Sequence, residues 1–520
     1  MTLSSLDVGI IIFYGVAIFM LAQWVSRERD GHKKDTQDYF LASQSLPWWA
    51  IGASLIAANI SAEQIIGMSG SGYALGLAIA SYEWMAAITL ILVGKYFLPI
   101  FLKHKIYTMP QFLELRYGHS VRSVMAVFWL GVYVFVNLTS ILWLGALAIG
   151  TVTGLDLIYG LLGLGIFAGA YAFYGGLKAV AFTDIVQVVL LVMGGLVIAY
   201  ITLDQISDGN GMIAGFTILA EQMPEKFDMI LSPDNPHYAS LPGISVLVGG
   251  LWIMNLSYWG FNQYVIQRAL AAKSVGEAQK GIVFAAFLKI LMPIIVVLPG
   301  IAAAVLSPGL ERPDQAYPEV MKLMPSGLKG LVFAALLAAI VSSLGSMVNS
   351  ISTIFTLDLF KSYFRGRSEE KLVRVGRVVG LVALAIAMLT AEPLLGEFDQ
   401  AFQYIQEFTG FFTPGIVVIF LLGLFWPKAT TAGALAAALG SAVASLVLKV
   451  VWPSLPFIDR VGLVFVLCFL LAIAVSLFSQ KSHRGTDMKN GEVSYSTTSF
   501  FNLASAVIVI ILFVLYTVWW

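Results

Sequence analysis

Long apolar runs are the feature that most limits how this chain can fold. Stretches of about 19 or more mainly apolar residues recur along the sequence and are separated by short polar segments. A helix needs about 20 such residues to cross the hydrocarbon core of a bilayer. Because 59% of the 520 residues are hydrophobic and only 12% are charged, the composition excludes a set of ordinary soluble domains. We therefore predict an all-α membrane protein, with residues 1–520 forming a single transmembrane domain.

The positions of the apolar runs predict about fourteen transmembrane helices. The first run, residues 7–25, has no basic residue before it and four between residues 27 and 34, which is the reverse of a secretory signal. We interpret it as a retained helix with its N-terminus outside. Alternating sides from that start places most Lys and Arg residues on the inner side and both termini outside, as the positive-inside rule requires. The expected location is the inner (plasma) membrane.

Two of the predicted helices are interrupted by polar residues. The stretch 57–64 of the second helix contains Asn, Ser, Glu and Gln, and the stretch 249–263 of the seventh is rich in Gly, Asn and aromatic residues. Interrupted helices at corresponding places in two halves of a chain indicate inverted repeats, in which unwound backbone contributes to substrate and ion binding. The alternative, that these side chains only join helices of a bundle, stays open.

Several ionisable residues lie at membrane depth. An acid or base in hydrocarbon costs about 3 kcal/mol on insertion scales, so each should face a cavity or a partner. The residues are Glu63, Glu83, Lys289 and Glu407, with Asp184 at the inner end of the sixth predicted helix. We expect Glu83 and Lys289 on opposite walls of one polar pocket. A structural ion pair without a ligand is the alternative.

The ninth predicted helix is dense in small and hydroxyl residues between 335 and 353. Small residues at this density often serve only close helix packing. Adjacent hydroxyls could also supply oxygens to a small cation whose other ligands are backbone carbonyls. The residues alone do not choose between these interpretations.

Motifs of other protein classes are missing from the sequence. It contains no G-x-x-x-x-G-K-[ST] string for ATP and no H-E-x-x-H string for catalytic zinc. The string Gly67-Met68-Ser69-Gly70 resembles the surroundings of an intramembrane serine nucleophile, but every histidine lies in a loop or near a helix end. We interpret these glycines as helix breakers. We predict no enzyme activity, no catalytic residues and no interaction with ATP or nucleic acid.

Five stretches of the chain resemble the solute:sodium symporter family. They are residues 51–95, Tyr174-Gly175-Gly176-Leu177 leading to Thr183-Asp184, 255–268 (NLSYWGFNQYVIQR), 338–350 (AAIVSSLGSMVNS) and 401–416 (AFQYIQEFTGFFTPGI). The resemblance implies a LeuT-type core of two inverted five-helix repeats. The first repeat would cover residues 47–203 and the second 243–426, with an extra N-terminal helix at 7–25 and C-terminal helices over 427–520.

The resemblance also implies roles for individual residues. It implies sugar contacts at Asn59, Gln64, Glu83, Asn255, Lys289 and Gln406. It makes Tyr258 an aromatic gate on the inner side of the sugar, with Trp259 beside it. Its sodium ligands would be the carbonyl oxygens of Ala57, Ile60 and Ala339 and the hydroxyls of Ser342 and Ser343. Asp184 would lie on the inward exit route of the ion.

The function implied by the resemblance is secondary active transport in a lipid bilayer. Na⁺ would be the coupling ion, and its entry would drive uptake of a neutral sugar of the galactose or glucose class by alternating access. Galactose-transporting members of the family have a serine three residues after the pocket glutamate, whereas this chain has Ala86. The preferred sugar therefore stays open. Alternatives are a symporter for another neutral solute such as a polyol, or a non-transporting sugar sensor; the oligomeric state is also open.

Overall fold

The computed structural model describes residues 3–26, 46–106, 108–174, 177–364, 366, 368–396, 398, 400–479 and 493–520, without the side chains of 22–26, 171–185 and 369–370. Within these ranges the chain forms helices and no strand, apart from one isolated bridge between Leu46 and Ala272. The all-α prediction is confirmed.

Fourteen helical segments follow one another along the chain, and three of them are divided. In order they are α1 (Ser5–Ser26), α2a (Trp48–Asn59) and α2b (Glu63–Leu75), α3 (Leu77–Lys103), α4 (His119–Thr153), α5 (Leu157–Tyr174), α6 (Leu177–Ile206), α7a (Gly250–Leu256, continued by the turn Ser257–Phe261) and α7b (Gln263–Leu270), α8 (Val275–Leu306), α9 (Leu328–Tyr363), α10 (Glu369–Leu395), α11a (Ala401–Thr409) and α11b (Thr413–Phe425), α12 (Thr431–Val451), α13 (Phe457–Phe478) and α14 (Ser499–Val518). Shorter helices lie in the connections, at Met109–Tyr117, Met212–Gln222, Ser245–Val248 and Ala316–Met321.

Length and composition mark many of these segments as membrane-spanning. Nine helices of the described part are long and apolar enough to cross a bilayer, and counting each bent pair, α2 and α11, as one span brings the number to eleven. The described parts of α1 and α5 add two shorter apolar helices. A membrane protein with many spans is therefore established. The count of fourteen and the repeat boundaries 47–203 and 243–426 stay predictions.

The bend in α2 comes from a three-residue break in its backbone hydrogen bonding. The halves α2a and α2b meet at an angle of 65°. Ile60 leaves the helical region with ψ of 89°, and the hydroxyl of Ser61 accepts the N–H of Glu63 at 3.2 Å, which starts α2b. A serine at this position satisfies a donor that the new helix would otherwise leave unpaired. The interruption predicted in the second helix is confirmed.

The glycines after this break have a packing role. Residues 67–72 lie within helical turns of α2b, so the interpretation of the glycines at 67–70 as helix breakers is wrong. A Cβ atom on Gly70 would lie 2.4 Å from the Asp314 carboxylate, and one on Gly72 would lie 2.7 Å from the carbonyl oxygen of Val297 in α8. These glycines allow neighbouring backbone to approach the helix closely.

The long helix α8 lies against both halves of α2 and carries Pro293 and Pro299 in its interior. A Cβ atom on Gly281 would lie 2.8 Å from Ile51 of α2a, and one on Gly300 would lie 2.1 Å from the carbonyl oxygen of Ser69 in α2b. The two helices therefore approach closely on both sides of the bend.

Residues of two connecting segments cap ends of the two bent helices. The Lys226 ammonium donates to the carbonyl oxygens of Tyr73 at 2.9 Å and Ala74 at 2.7 Å, at the C-terminal end of α2b. Burial lowers the pKa of Lys226. Asp314 accepts the N–H of Ala401, the first residue of α11a, at 2.9 Å. Each charge has the sign that the helix end favours, so these contacts hold the C-terminal end of α2b and the N-terminal end of α11a in place.

Candidate functional site

A cavity of about 120 Å³ lies beside the break in α2. Its walls come from α2, α3, α4, α7, α8 and α11. All eight residues predicted to contact substrate line it, namely Asn59, Gln64, Glu83, Asn255, Tyr258, Trp259, Lys289 and Gln406. Ala86 lines it as well, one helical turn after Glu83, as expected for residues three apart on a helix.

A buried ion pair forms the centre of the cavity wall. The Lys289 ammonium donates to a Glu83 carboxylate oxygen at 2.6 Å, and the two residues are 0% and 3% exposed. The second carboxylate oxygen of Glu83 accepts the Gln64 amide at 2.6 Å. Lys289 also donates to the side-chain oxygen of Asn59. Glu83 and Lys289, expected on opposite walls of one pocket, both line the cavity but are bonded to each other directly, and hydrogen bonds to both partners offset part of the cost of burial.

Two aromatic residues of α7 complete this part of the cavity. The Tyr258 hydroxyl accepts the Asn59 amide at 3.2 Å, so it connects α7 with the end of α2a. The Tyr258 and Trp259 rings pack edge to face with centroids 5.1 Å apart, and the Lys289 ammonium lies 4.9 Å from the Trp259 ring centroid. The arrangement presents an aromatic surface next to a hydrogen-bonding cluster, which is the chemistry that a sugar ring with hydroxyl groups requires.

The α2 break also changes the bonding of two backbone carbonyls. In a continuous helix, the N–H of Ser61 would donate to Ala57 and the N–H of Gln64 would donate to Ile60. Here Ser61 donates to the carbonyl of Asn59 at 2.9 Å, and Gln64 donates to that of Ser61 at 3.2 Å. The carbonyls of Ala57 and Ile60 thereby lose their helical donors, which suits them to a hard cation such as Na⁺.

The remaining predicted ion ligands belong to α9. Ala339, Ser342 and Ser343 are buried and lie within five residues of one another on that helix. This placement does not test whether they meet the α2 carbonyls, so the five-oxygen sodium site stays a prediction. The predicted exit residue, Asp184, has its side chain outside the described residues.

A model of the sodium:solute symporter family matches residues 39–440. This covers most of the chain. The chain belongs to the sodium:solute symporter family. Coupling of transport to Na⁺ and insertion in a membrane are therefore properties of its family.

The symporter has relatives that are sodium-coupled cotransporters. It is 52% identical to a sodium/glucose cotransporter of Vibrio parahaemolyticus, in an alignment that covers 100% of this chain and 99% of that protein. It is 32% identical to the human sodium/myo-inositol cotransporter 2, over 82% of this chain and 67% of that protein. Both relatives are transporters.

The fold of the symporter is shared with a solved structure. A Na⁺-coupled sialic acid symporter, captured in a substrate-bound outward-open state, superposes with a TM-score of 0.77 at 23% identity, over 93% of this chain and 99% of that one. The likeness concerns the fold. It confirms the predicted LeuT-type architecture of the symporter.

Glu407 lies outside this cavity wall, although its neighbour Gln406 belongs to it. Its carboxylate accepts from Lys449 of α12 at 2.8 Å and Arg460 of α13 at 3.0 Å. The expectation that each membrane-depth acid has a cavity or a partner therefore holds for Glu407 through its partners. This ion cluster joins α11a to the C-terminal helices of the symporter.

Sequence reasoning missed the contribution of α4 to the cavity. Trp129, Tyr133 and Asn137 line it and are spaced four residues apart, so they share one helix face. Asn137 was the available signal, because it is an isolated amide within an otherwise apolar run. An isolated amide is also common where helices merely pack, which is why it did not stand out.

Proposed function

We propose that the symporter is a secondary active transporter that couples sodium entry to uptake of a neutral sugar of the galactose or glucose class by alternating access. The observation that carries the proposal is the buried cluster of Lys289, Glu83, Gln64 and Asn59 in a cavity beside the α2 break. The kinship with a sodium/glucose cotransporter at 52% identity supports it.

The charges of the cavity favour a neutral solute. Lys289 is paired with Glu83, so the ammonium is not free to balance an anionic substrate. Amide groups from Gln64, Asn255 and Gln406 can donate to and accept from hydroxyls. A pyranose offers hydroxyls around its rim and C–H groups on its faces, which match the amides and the Tyr258 ring respectively.

Sodium is proposed to bind between α2 and α9. The carbonyls of Ala57, Ile60 and Ala339 and the hydroxyls of Ser342 and Ser343 would supply its five oxygens. An ion at the α2 break would hold Asn59 and Gln64 in the arrangement that contacts sugar, because both residues flank the break. Such differential binding is what coupling requires, since a ligand with equal affinity for both states shifts no equilibrium. Each sodium charge crossing 100 mV contributes about 2.3 kcal/mol.

The proposal includes a location and an orientation. The protein would lie in the inner (plasma) membrane with both termini outside and Asp184 on the cytoplasmic exit route of the ion. It would act as a transporter and carry no enzymatic activity. A polyol is the second candidate substrate, because the human relative at 32% identity is a sodium/myo-inositol cotransporter.

Uptake by proteoliposomes tests this function. Purified protein is reconstituted, and labelled glucose, galactose and myo-inositol are presented with an inward gradient of sodium or of choline. We expect sugar accumulation only with sodium and no response to ATP. Equal uptake in sodium and choline would refute sodium coupling. Binding of a sugar without any accumulation would favour a sensor.

A further inference from the structure

The break in α11 lies in the wall of the cavity. The halves α11a and α11b meet at an angle of 46°, and residues 410–412 separate them. Both halves line the cavity, α11a with residues that include Gln406 and α11b with Thr413 and Ile416. The angle at this break therefore determines where the Gln406 amide lies relative to the Lys289 cluster.

The residue that follows Gln406 is held by helices outside the cavity wall. Successive residues of a helix point about 100° apart, so Glu407 leaves the face that Gln406 presents to the cavity. The Oε1 atom of Glu407 accepts from the Lys449 ammonium of α12 at 2.8 Å and from the Arg460 guanidinium of α13 at 3.0 Å. None of the described residues that line the cavity belongs to α12 or α13. Two helices without a share in the cavity wall thus hold the residue next to a predicted sugar contact.

The same two cations contact aromatic rings at the break. The Lys449 ammonium lies 5.0 Å from the ring centroid of Phe408 in α11a, and the Arg460 guanidinium lies 5.3 Å from that of Phe411 in the break. The two rings are nearly parallel, with 11° between their planes and 5.9 Å between their centroids. A cation within about 6 Å of an aromatic face is attracted to it. Arg460 therefore joins the Glu407 carboxylate of α11a to the Phe411 ring of the break.

The backbone of the break is held by α12 and α13 as well. The carbonyl oxygen of Phe411 accepts the hydroxyl of Ser441 in α12 at 2.8 Å, and Ser441 is fully buried. A buried carbonyl needs such a partner, because leaving it unpaired is costly. A Cβ atom on Gly410 would lie 2.9 Å from the Val461 side chain of α13, so the break is packed closely against that helix. Side chains of α12 and α13 thus stabilise the angle between α11a and α11b.

We propose that Glu407 is a positioning residue for the sugar site. Through Lys449 and Arg460 it sets the angle at the α11 break, and with it the position of the Gln406 amide in the cavity. The competing interpretation is a tether that only stabilises the helix bundle. The inference rests on the proposed sugar transport and on the predicted sugar contact at Gln406. It gives α12 and α13 a part in sugar affinity, although neither helix lines the cavity.

A double-mutant cycle between Glu407 and Gln406 tests this role. The full chain is reconstituted in proteoliposomes, and the half-saturating concentrations of labelled glucose and labelled galactose are measured with an inward sodium gradient. Glu407→Ala should raise these concentrations about three- to tenfold, as for the loss of one hydrogen bond to the sugar. In a Gln406→Ala background the same substitution should change them less than twofold, because the residue that it positions is then already absent.

Lys449→Ala keeps the test decisive if Glu407→Ala does not fold. It removes the more exposed of the two cations and leaves Glu407 paired with Arg460. It should raise the half-saturating sugar concentrations about two- to threefold, again only in protein that retains Gln406.

Lys322→Ala is the matched control for Lys449→Ala. The Lys322 ammonium pairs with Glu319 at 2.6 Å, its side chain is 26% exposed against 38% for Lys449, and it lies outside the cavity lining, so uptake should not change. Equal increases with and without Gln406, or a lower maximal rate at unchanged half-saturating concentrations, would overturn the positioning role and leave a tether. A wild type that accumulates neither sugar would refute the proposed function and this inference together.

Discussion

The interruptions of α2 and α7 differ in what becomes of the backbone groups they release. In α2 the break spans three residues, and the N–H groups of Ser61 and Gln64 turn to other acceptors. The carbonyls of Ala57 and Ile60 thereby lose the N–H donors that a continuous helix would give them. This interruption therefore exposes acceptors.

At the interruption in α7, Asn262 accepts N–H groups of the helix that follows it. The Asn262 side chain accepts the N–H of Tyr264 at 3.1 Å, and its carbonyl oxygen accepts those of Val265 at 3.1 Å and Ile266 at 3.0 Å. What α7 presents to the cavity includes the side chains of Asn255, Tyr258, Trp259 and Asn262. We therefore expect the α2 break to bind the cation and α7 to bind the sugar.

The largest effect is expected in the cluster around the Lys289–Glu83 ion pair, beside the α2 break. Lys289→Ala and Gln64→Ala should each weaken sugar binding by up to about 100-fold, because losing a partner leaves buried hydrogen-bonding groups of the pocket unpaired at about 1 to 3 kcal/mol each. Sodium binding at the α2 carbonyls should survive in both. Binding of labelled sugar and of ²²Na⁺ to purified protein measures the two effects. Loss of folding in detergent would instead identify the ion pair as purely structural.

Ser343→Ala tests the proposed binding of sodium between α2 and α9. Removing one of five proposed ion-ligating oxygens should raise the sodium concentration for half-maximal uptake about tenfold and change sugar affinity less. Ser350→Ala is the matched control, because its hydroxyl donates to the Ser346 carbonyl of the same helix at 3.0 Å. An unchanged sodium dependence would show that the Ser343 hydroxyl only packs.

Tyr258→Phe examines the hydrogen bond between the Asn59 side chain, at the end of α2a, and the Tyr258 hydroxyl of α7. The ring stays, but the Asn59 amide loses its acceptor, so sugar affinity should fall about three- to tenfold with sodium dependence changed less than twofold. Sugar and sodium titrations of uptake check this. If both dependences moved equally, the two interruptions would not serve separate ligands.

The smallest effect is expected at Ala86. Serine adds one hydroxyl to the cavity wall, and one hydrogen bond contributes about 0.5 to 1.5 kcal/mol. Ala86→Ser should therefore change the preference between galactose and glucose several-fold without changing overall activity. Competition of each unlabelled sugar against one labelled sugar measures it. Identical inhibition constants in both proteins would mean that position 86 does not contact the sugar.

The sequence predicts features that disturb a regular pattern. The polar stretches in α2 and α7 and the pair Glu83 and Lys289 are conspicuous in apolar surroundings, and the structure brings them to one cavity. The individual sodium ligands could be predicted only through the family resemblance, because a backbone carbonyl leaves no signal in the sequence.

Other features escape sequence reasoning because they depend on distant contacts. Nothing in the sequence around Lys226 predicts that this residue caps α2b, whose last residues lie about 150 positions earlier. Glycines 67–70 were assigned to the break because glycine disrupts helices in general, whereas the tight fit of Gly70 against Asp314 is visible only in three dimensions. Local composition cannot distinguish these two uses of glycine.

The close contact of α2 with α8 has a mechanical consequence. Gly281 and Gly300 bring α8 into close contact with both α2a and α2b, so α8 supports the two halves of the bent helix across its break. The 65° angle between α2a and α2b cannot change unless α8 slides or bends. The interior prolines at 293 and 299 are where α8 bends most easily. Since α8 also carries Lys289, a change in this angle would displace the ammonium that is paired with Glu83.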